Sequence, residues 1–375
     1  MRKVALELQP CCGRRSGIGQ YTYEIAKRLR DSDGLVFRGN LFNFLSRNDN
    51  TESLAGIEMP ILVNSLFPYG VYRRIWNAIP LPYDRLFRPK ADLNVFFNYI
   101  VPPSIEGKTM TTIHDMTYLR FPETMDRRNL KRLQDGIEYS VARSAHIVTD
   151  SEFSKQEIMQ LLNIPLEKIS VVPGAPSLTD RFVDFSEMAD KYHIDKPYIL
   201  YVGTIEPRKN LVRLMQAFAA LKKNGFPHQL VLAGGKGWEN EDIYQTADRL
   251  FHCGEIVFTG YISDADKNTL YQNAEAFVFP SLYEGFGIPP LEAMHFGCPV
   301  VCANAASLPE VVGDAAQLVD PMEVDSIAEG MLRVLADEPY RMKLVQSGYA
   351  QAKKFNWDDS ANQLAQICRE VLEES

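Results

Sequence analysis

A chain of 375 residues is long for a single core, and the usual domain size divides it into about two. Hydrophobic content of 46% and charged content of 23% are those of an ordinary globular protein. No apolar run nears the ~20 residues of a membrane helix, and a net charge of −8 argues against a general nucleic-acid binder.

In chain order, short apolar runs alternate with amphipathic stretches. Residues 4–8 read as a strand and 18–29 as a helix. Strands follow at 94–97, 110–114, 146–149 and 169–172, with helices at 128–143 and 154–162 among them. Residues 173–192 read as a linker, punctuated by Pro173, Gly174 and Pro176. The alternation then restarts, with strands at 198–202, 229–233, 256–259, 276–279, 300–302 and 317–319 and helices between them. A last helix, 358–372, follows the Phe355-Asn356-Trp357 break and is expected to pack back on the first unit. Alternating strands and helices imply parallel sheets wrapped by helices. The expected division is a first domain over 1–180, a second over 181–357 and the terminal helix from 358.

Open parallel sheets bind ligands at the carboxyl ends of their strands, so the chemistry is sought in loops that follow strands. After the strand at 198–202, Gly203 opens a loop that carries Arg208 and Lys209 and reaches Asn210, a candidate helix cap. Two cations before a helix start suit a diphosphate, as helix N-termini attract phosphate. After 276–279 comes a second loop, in which Gly285 and Gly287 let backbone approach a ligand. Glu284 and Glu292 lie eight apart around these glycines and the Pro289-Pro290 pair. A carboxylate accepts hydrogen bonds from two neighbouring sugar hydroxyls. The loop at 9–19 has Gly17 and Gly19 where a phosphate cradle would need them, and reads equally well as a plain strand-to-helix turn. His114 ends a strand. Of the two Asp-x-Asp matches, Asp31-Ser32-Asp33 follows a helix and Asp264-Ala265-Asp266 begins one. Both read as structural, with Asp264 the cap, and no metal site is expected.

Charge is uneven: residues 1–180 hold 23 Lys+Arg against 20 Asp+Glu, and the remainder 17 against 28. A first half that faces an anionic partner would account for this, and so would chance. Residues 71–90 mix Arg73, Arg74, Arg85, Arg88 and Lys90 with Tyr72, Trp76, Tyr83 and Phe87. That mixture suits a peripheral membrane contact or a lipid-diphosphate acceptor, and reads also as a solvated helix and loop. None of the six cysteines, Cys11, Cys12, Cys253, Cys298, Cys302 and Cys368, falls in a zinc-type spacing. No signal-peptide pattern opens the chain, and a reducing, cytoplasmic setting is expected.

The motifs Glu284-Gly-Phe-Gly-Ile-Pro-Pro-Leu-Glu292 and Tyr201-Val-Gly-Thr-Ile-Glu-Pro-Arg-Lys-Asn210 resemble those of the family 4 retaining glycosyltransferases. Ala233–Trp238, Phe258–Tyr261, Ser307–Glu310, Ser16–Tyr21, Ile113–Asp115 and Thr149–Lys155 match as well, so the resemblance spans nearly the whole chain. The most similar subset is the bacterial mannosyltransferases of O-antigen, capsule and exopolysaccharide assembly. The resemblance implies the GT-B fold, two facing Rossmann-like parallel-sheet domains with an interdomain cleft. It implies retaining hexosyl transfer, with mannose from GDP-mannose, to a glycan or lipid-linked glycan at the inner face of the cytoplasmic membrane. UDP-glucose or another nucleotide sugar is the alternative donor, and a non-catalytic partner-binding subunit the alternative function. No cofactor, metal or nucleic acid is implied.

By the same resemblance Arg208 and Lys209 bind the diphosphate. Glu284 meets the sugar hydroxyls, with the amides of Gly285, Phe286 and Gly287 and the Gly203 turn alongside. Glu292 holds the ribose, and Gly260, Tyr261 and Ile262 meet the base. Gly17 and Gly19 close on the donor, and His114 sits beside the anomeric carbon. Two departures stand out: Pro173-Gly174-Ala175-Pro176 replaces the more usual Asn-Gly pair, and Cys11-Cys12 lies in the donor-facing loop.

Overall fold

The computed structural model describes residues 1–13, 15–31, 34–44, 53–76, 81–251 and 254–374. Expectations that fall on Arg14, Ser32, Asp33, Cys253 and positions 77–80 lie outside the described residues.

The chain divides into two compact units. The first comprises Met1–Met116, Arg127–Gly174 and Asn356–Ser375; the second comprises Thr117–Asp126 and Ala175–Phe355. The division therefore falls at Gly174 rather than 180. The excursion Thr117–Asp126 joins the second unit because Trp238 Nε1 donates to the Thr124 carbonyl and the Phe121 ring packs 5.5 Å from Tyr283. The final helix, Trp357–Glu373, belongs to the first unit. Ser360 Oγ donates to the Pro173 carbonyl at 2.8 Å, Gln363 Nε2 to that of Val171 at 2.6 Å, and Lys108 Nζ to that of Val371 at 2.7 Å.

The first unit is built on seven parallel strands: β1 (Arg2–Glu7), β2 (Leu35–Phe42), β3 (Ile61–Asn64), β4 (Leu93–Phe96), β5 (Lys108–Thr112), β6 (His146–Thr149) and β7 (Ile169–Val171), in the order β3-β2-β1-β4-β5-β6-β7. The second has six: β8 (Tyr198–Val202), β9 (Gln229–Ala233), β10 (Ile256–Gly260), β11 (Ala276–Phe279), β12 (Val300–Ala303) and β13 (Ala316–Val319), in the order β10-β9-β8-β11-β12-β13. Both orders reverse direction once, between β1 and β4 and between β8 and β11. Such reversals open the crevice in which doubly wound sheets bind ligands. Parallel strands with helices on both faces are buried on both faces, so they read as unbroken apolar runs. β8 (YILYV), β9 (QLVLA), β11 (AFVF) and β12 (VVCA) are buried throughout.

Some elements depart from the sequence expectation. β2 carries Arg38, Gly39 and Asn40 in its middle, which hides its strand pattern. Arg38 is buried because its guanidinium is spent on the carbonyls of Phe87, at 3.1 Å, and Pro89. Four-residue β3 was likewise not expected. The stretch read as linker contains the helix Phe185–Tyr192. Asp184 caps it, its carboxylate accepting from Ser186 N and Glu187 N at 2.9 and 3.2 Å.

Three of the four aromatic residues named in the 71–90 stretch turn inward, and Trp76 is half-buried. Tyr72, Tyr83 and Phe87 are buried with Phe42, Phe96, Val101 and Ile105 in one cluster. Stacked and edge-on ring pairs at about 5 Å explain why they turn inward. Arg74, Arg85, Arg88 and Lys90 remain exposed, so most of the basic residues of the expected membrane patch face outward and most of its aromatic residues do not. Among the described residues no helix is long and apolar enough to cross a membrane.

Candidate functional site

The expected cations and acids of the second unit meet at the β8/β11 reversal. The loop after β8 tightens into a turn, Pro207–Lys209, and the helix Leu211–Lys223 follows. The loop after β11 runs to the helix Ile288–His295. Asn210 holds the two loops together: its Nδ2 donates to the carbonyls of Pro280 and Pro321 at 3.1 and 2.6 Å. It stands at the N-cap position, as expected, but its side chain caps nothing. A second tie is Ser307, fully buried, whose Oγ lies 2.8 and 2.9 Å from the carbonyl oxygens of Glu284 and Phe286.

Between these loops Glu284 bridges both cations. Its Oε1 accepts from Lys209 Nζ at 2.6 Å and its Oε2 from Arg208 at 2.9 Å, while Arg208 also donates to Glu206 at 2.9 Å. The side chains are 11–15% exposed, and Glu206 only 3%. Charge-assisted pairs of this length are strong, and burial makes them costly to leave half-made. Burial alone would raise the Glu284 carboxyl, but Arg208 and Lys209 overcome it and hold its pKa at about 2. The carboxylate is therefore charged at every physiological pH. The Lys209 ammonium also lies 5.5 Å from the Phe279 ring.

Glu292 lies one turn into the helix Ile288–His295, not in the first turn, so helix-dipole complementation does not account for it. It pairs instead with two residues not anticipated from the sequence. Lys267 Nζ donates to its Oε1 at 2.9 Å, and Tyr271 hydroxyl to its Oε2 at 3.3 Å. Burial opposes the Lys267 charge, and Glu292 more than restores it, so the ammonium is held above its usual range. Lys267 and Tyr271 are four apart on one face of the helix Asp264–Asn273. That spacing was the available signal.

Gly287 is the N-cap of the helix that carries Glu292, with φ of 111°, and a Cβ there would stand 2.6 Å from Leu308 Cδ2. Only glycine makes this turn at no cost. The Phe286 side chain faces inward, its ring 5.4 Å from Phe355, which leaves the backbone as the part able to meet a ligand. Gly203 ends β8 with φ of 156°. Gly260 closes β10 at a bulge with φ of 67°, and after it Tyr261 is 64% exposed and Ile262 half-buried.

Asp264 does not cap its helix. Ser263 does, and Asp266 completes a capping box while accepting from Lys191 and Tyr192 at 2.9 and 3.1 Å. Asp31 accepts from Phe37 N at 2.8 Å. Among the described residues no three His, Cys, Asp or Glu side chains gather as metal ligands. The described cysteines, Cys11, Cys12, Cys298, Cys302 and Cys368, are free thiols.

In the first unit, Ser16 caps the helix Gly17–Arg28 and accepts from Gly19 N at 3.3 Å. A Cβ on Gly19 would strike the Pro10 carbonyl at 2.4 Å, whereas Gly17 has open space around it. Tyr21 of this helix packs edge-on against His114, centroids 5.2 Å apart. Both nitrogens of the His114 ring are engaged: Nδ1 lies 2.7 Å from Asp150 Oδ2 and Nε2 2.8 Å from the Phe97 carbonyl. Burial disfavours the charged ring, but the Asp150 carboxylate and the Phe97 carbonyl outweigh it, so its pKa lies above the usual value. Neither nitrogen of His114 is available to a ligand without breaking a buried bond.

Residues 184–351 match the family model described as glycosyl transferases group 1. O-antigen chain mannosyltransferase B of Escherichia coli is 33% identical over 387 residues, covering 96% of this chain and 98% of that protein. Among solved structures, sucrose-phosphate synthase from Thermosynechococcus elongatus superposes with a TM-score of 0.75 at 17% identity, covering all of both chains. HepE of Anabaena, in complex with UDP and glucose, gives 0.73 at 18% identity over 99% of this chain and all of the other. These likenesses establish two Rossmann-like domains of the GT-B class, and the chain belongs to the group 1 glycosyltransferases.

Proposed function

We propose that this glycosyltransferase moves a hexose, mannose from GDP-mannose, onto a glycan or lipid-linked glycan in bacterial surface-polysaccharide assembly. The observation that carries the reading is the convergence of Arg208, Lys209 and Glu284 at the strand-order reversal of the second sheet. Mannose is supported by the name of the E. coli relative. The reading sets the reaction in the cytoplasm, beside the inner membrane face where the acceptor is lipid-linked.

In this mechanism the bond from the anomeric carbon to the diphosphate oxygen breaks as the acceptor oxygen attacks from the same face. Charge accumulates on the departing diphosphate and, with opposite sign, on an oxocarbenium-like sugar. Arg208 and Lys209 neutralise the first, as fixed donors in a site with little water. Glu284, held ionised, accepts from sugar hydroxyls and faces the second. The acceptor proton passes to the departing diphosphate oxygen, so no separate protein base is required. Glu292, oriented by Lys267 and Tyr271, takes the ribose hydroxyls. The Gly260, Tyr261 and Ile262 segment meets the base, and Gly203 and the Gly285–Gly287 backbone lie along the phosphates and sugar. His114, with both nitrogens committed, acts by position and not by proton transfer. The two cations do the work a divalent ion would otherwise do, so chelator is expected to leave the rate unchanged.

The test is transfer by Arg208→Ala and Lys209→Ala. Each is expected to lose roughly 10²–10³ in rate while keeping the wild-type circular dichroism. Wild-type rates in both would refute the diphosphate assignment. Thermal shift against nucleotide sugars identifies the donor, since stabilisation grows with the logarithm of saturation. UDP-glucose is the second arm, because the HepE structure holds UDP and glucose. NMR of the product's anomeric proton decides retention.

A further inference from the structure

The strand order of the first sheet reverses between β1 and β4. A cavity of about 430 Å³ opens in this unit beside the segment 100–103, which follows β4, within the ~300–1,000 Å³ of small-molecule sites. Its walls come from three places. The helix Tyr69–Ile75 and its C-terminal flank supply Arg73 and Trp76, the turn 100–103 after β4 is apolar, and the helix Arg127–Arg143 supplies Arg132, Asp135, Gly136 and Tyr139. Positions 132, 135, 136 and 139 fall on one face of that helix.

The charges in this cavity are unbalanced. Neither Arg73 nor Arg132 forms an ion pair with any described carboxylate. Arg132 is held by neutral groups, Nε on Asn129 and an Nη on Asn98, both at 3.1 Å. Arg73 has its guanidinium 5.7 Å from the Tyr69 ring. Asp135, at the rim, is turned to Lys131 at 3.3 Å. The acid nearest in charge to the two arginines is Glu7, at the carboxyl end of β1. It is 6% exposed, and its Oε1 has no hydrogen-bond partner. Burial pushes its carboxyl up to about 8, against the pull of Arg132 and Arg73, so it does not supply the missing negative charge. Burial lowers the pKa of the Arg132 guanidinium, and a cation drawn out of water is unfavourable without an anion. Paired arginines beside aromatic edges match a planar-faced sugar that carries a phosphate.

We propose that the cavity walled by Arg73, Arg132, Trp76 and Tyr139 binds the acceptor, and that the acceptor is a saccharide bearing a phosphate ester. The phosphate lies between the two guanidiniums, and the apolar face of the pyranose lies against Trp76 and Tyr139. This deepens the transferase reading given above and rests on it for the word acceptor; the phosphosugar site itself stands on the first unit alone.

The test is calorimetry on the full chain with the donor side saturated by GDP. The probes are mannose 6-phosphate and, as the neutral control, methyl α-mannoside. Mannose 6-phosphate is expected to bind the wild type, and Arg73→Gln and Arg132→Gln each to weaken it about 10–100-fold, the worth of a charge-assisted contact. Arg73→Lys keeps the charge and is expected to recover part of the loss. Arg73 stands half-exposed, so its variants keep the fold even where Arg132→Gln does not. Equal binding of mannose 6-phosphate by wild type and Arg73→Gln overturns the proposal, and so does equal binding of the neutral glycoside. Flotation with phosphatidylglycerol vesicles identifies the source of the phosphate. Flotation lost in Arg73→Gln assigns it to a lipid-linked acceptor, and flotation unchanged assigns it to a soluble phosphosugar. Failure of GDP to bind would sink the donor reading while leaving the mannose 6-phosphate titration intact.

Discussion

Replacing Glu284 with Gln removes the anion that Arg208 and Lys209 share, and the structure gives the size of the effect. The carboxyl is held at about 2 against an ordinary 4.5. A folded-state pKa below the unfolded one contributes stability above the unfolded value, and that stability is lost as pH falls through the folded value. The window therefore runs from about pH 4.5 down to about 2. Between pH 7 and pH 3 this one group should cost the ligand-free wild type about 2 kcal/mol, and Glu284→Gln should not show that loss. At neutral pH the variant is expected to be less stable by roughly 3–5 kcal/mol, since two buried cations lose their partner. The assay is urea unfolding of both proteins at pH 7 and pH 3, read as the difference of differences so that other carboxylates cancel. Equal pH dependence in the two proteins would refute the claim that Glu284 is the ionised hub of this network.

Lys267→Met leaves the Glu292 carboxylate without its 2.9 Å partner; donor KM should rise about tenfold with kcat changed less, and the double variant with Glu292→Gln should fall well short of additivity. Additive losses would show that the two residues act separately. Gly287→Ala places a Cβ 2.6 Å from Leu308 Cδ2 at a φ of 111°, and calorimetric melting should register a loss of roughly 1–3 kcal/mol; an unchanged Tm would mean that the turn relaxes freely.

How much of this was legible in the sequence differs between elements for physical reasons. β8, β11 and β12 stood out because both their faces are buried, so their residues are apolar or aromatic throughout. β2 was hidden because Arg38 and Asn40 are buried polar residues inside a strand, and the Arg38 carbonyl partners lie 49 and 51 residues away. The helix Phe185–Tyr192 was missed although Asp184 two residues before Ser186 is a readable cap signal. In the site, Arg208, Lys209, Glu284 and Glu292 could be named because loops after strands concentrate chemistry. Their pairing could not: contact between positions 209 and 284, or 267 and 292, is set by strand order and not by local pattern. Ser307, a single small hydroxyl that steadies the Glu284 loop from 23 residues away, gave no signal of its own. The aromatic residues of 71–90 misled because an alternation of bases and rings looks the same whether the rings face lipid or one another.

The union of Glu284 with Arg208 and Lys209 has a bearing on ligand discrimination. An inorganic phosphate that claimed the two cations would strand a buried carboxylate, and give nothing back. A nucleotide sugar brings, on the same molecule, hydroxyls that can take over the abandoned acid. On the proposed reading, the internal counterion of the two cations weighs against small anions and favours a ligand that carries both halves of the exchange.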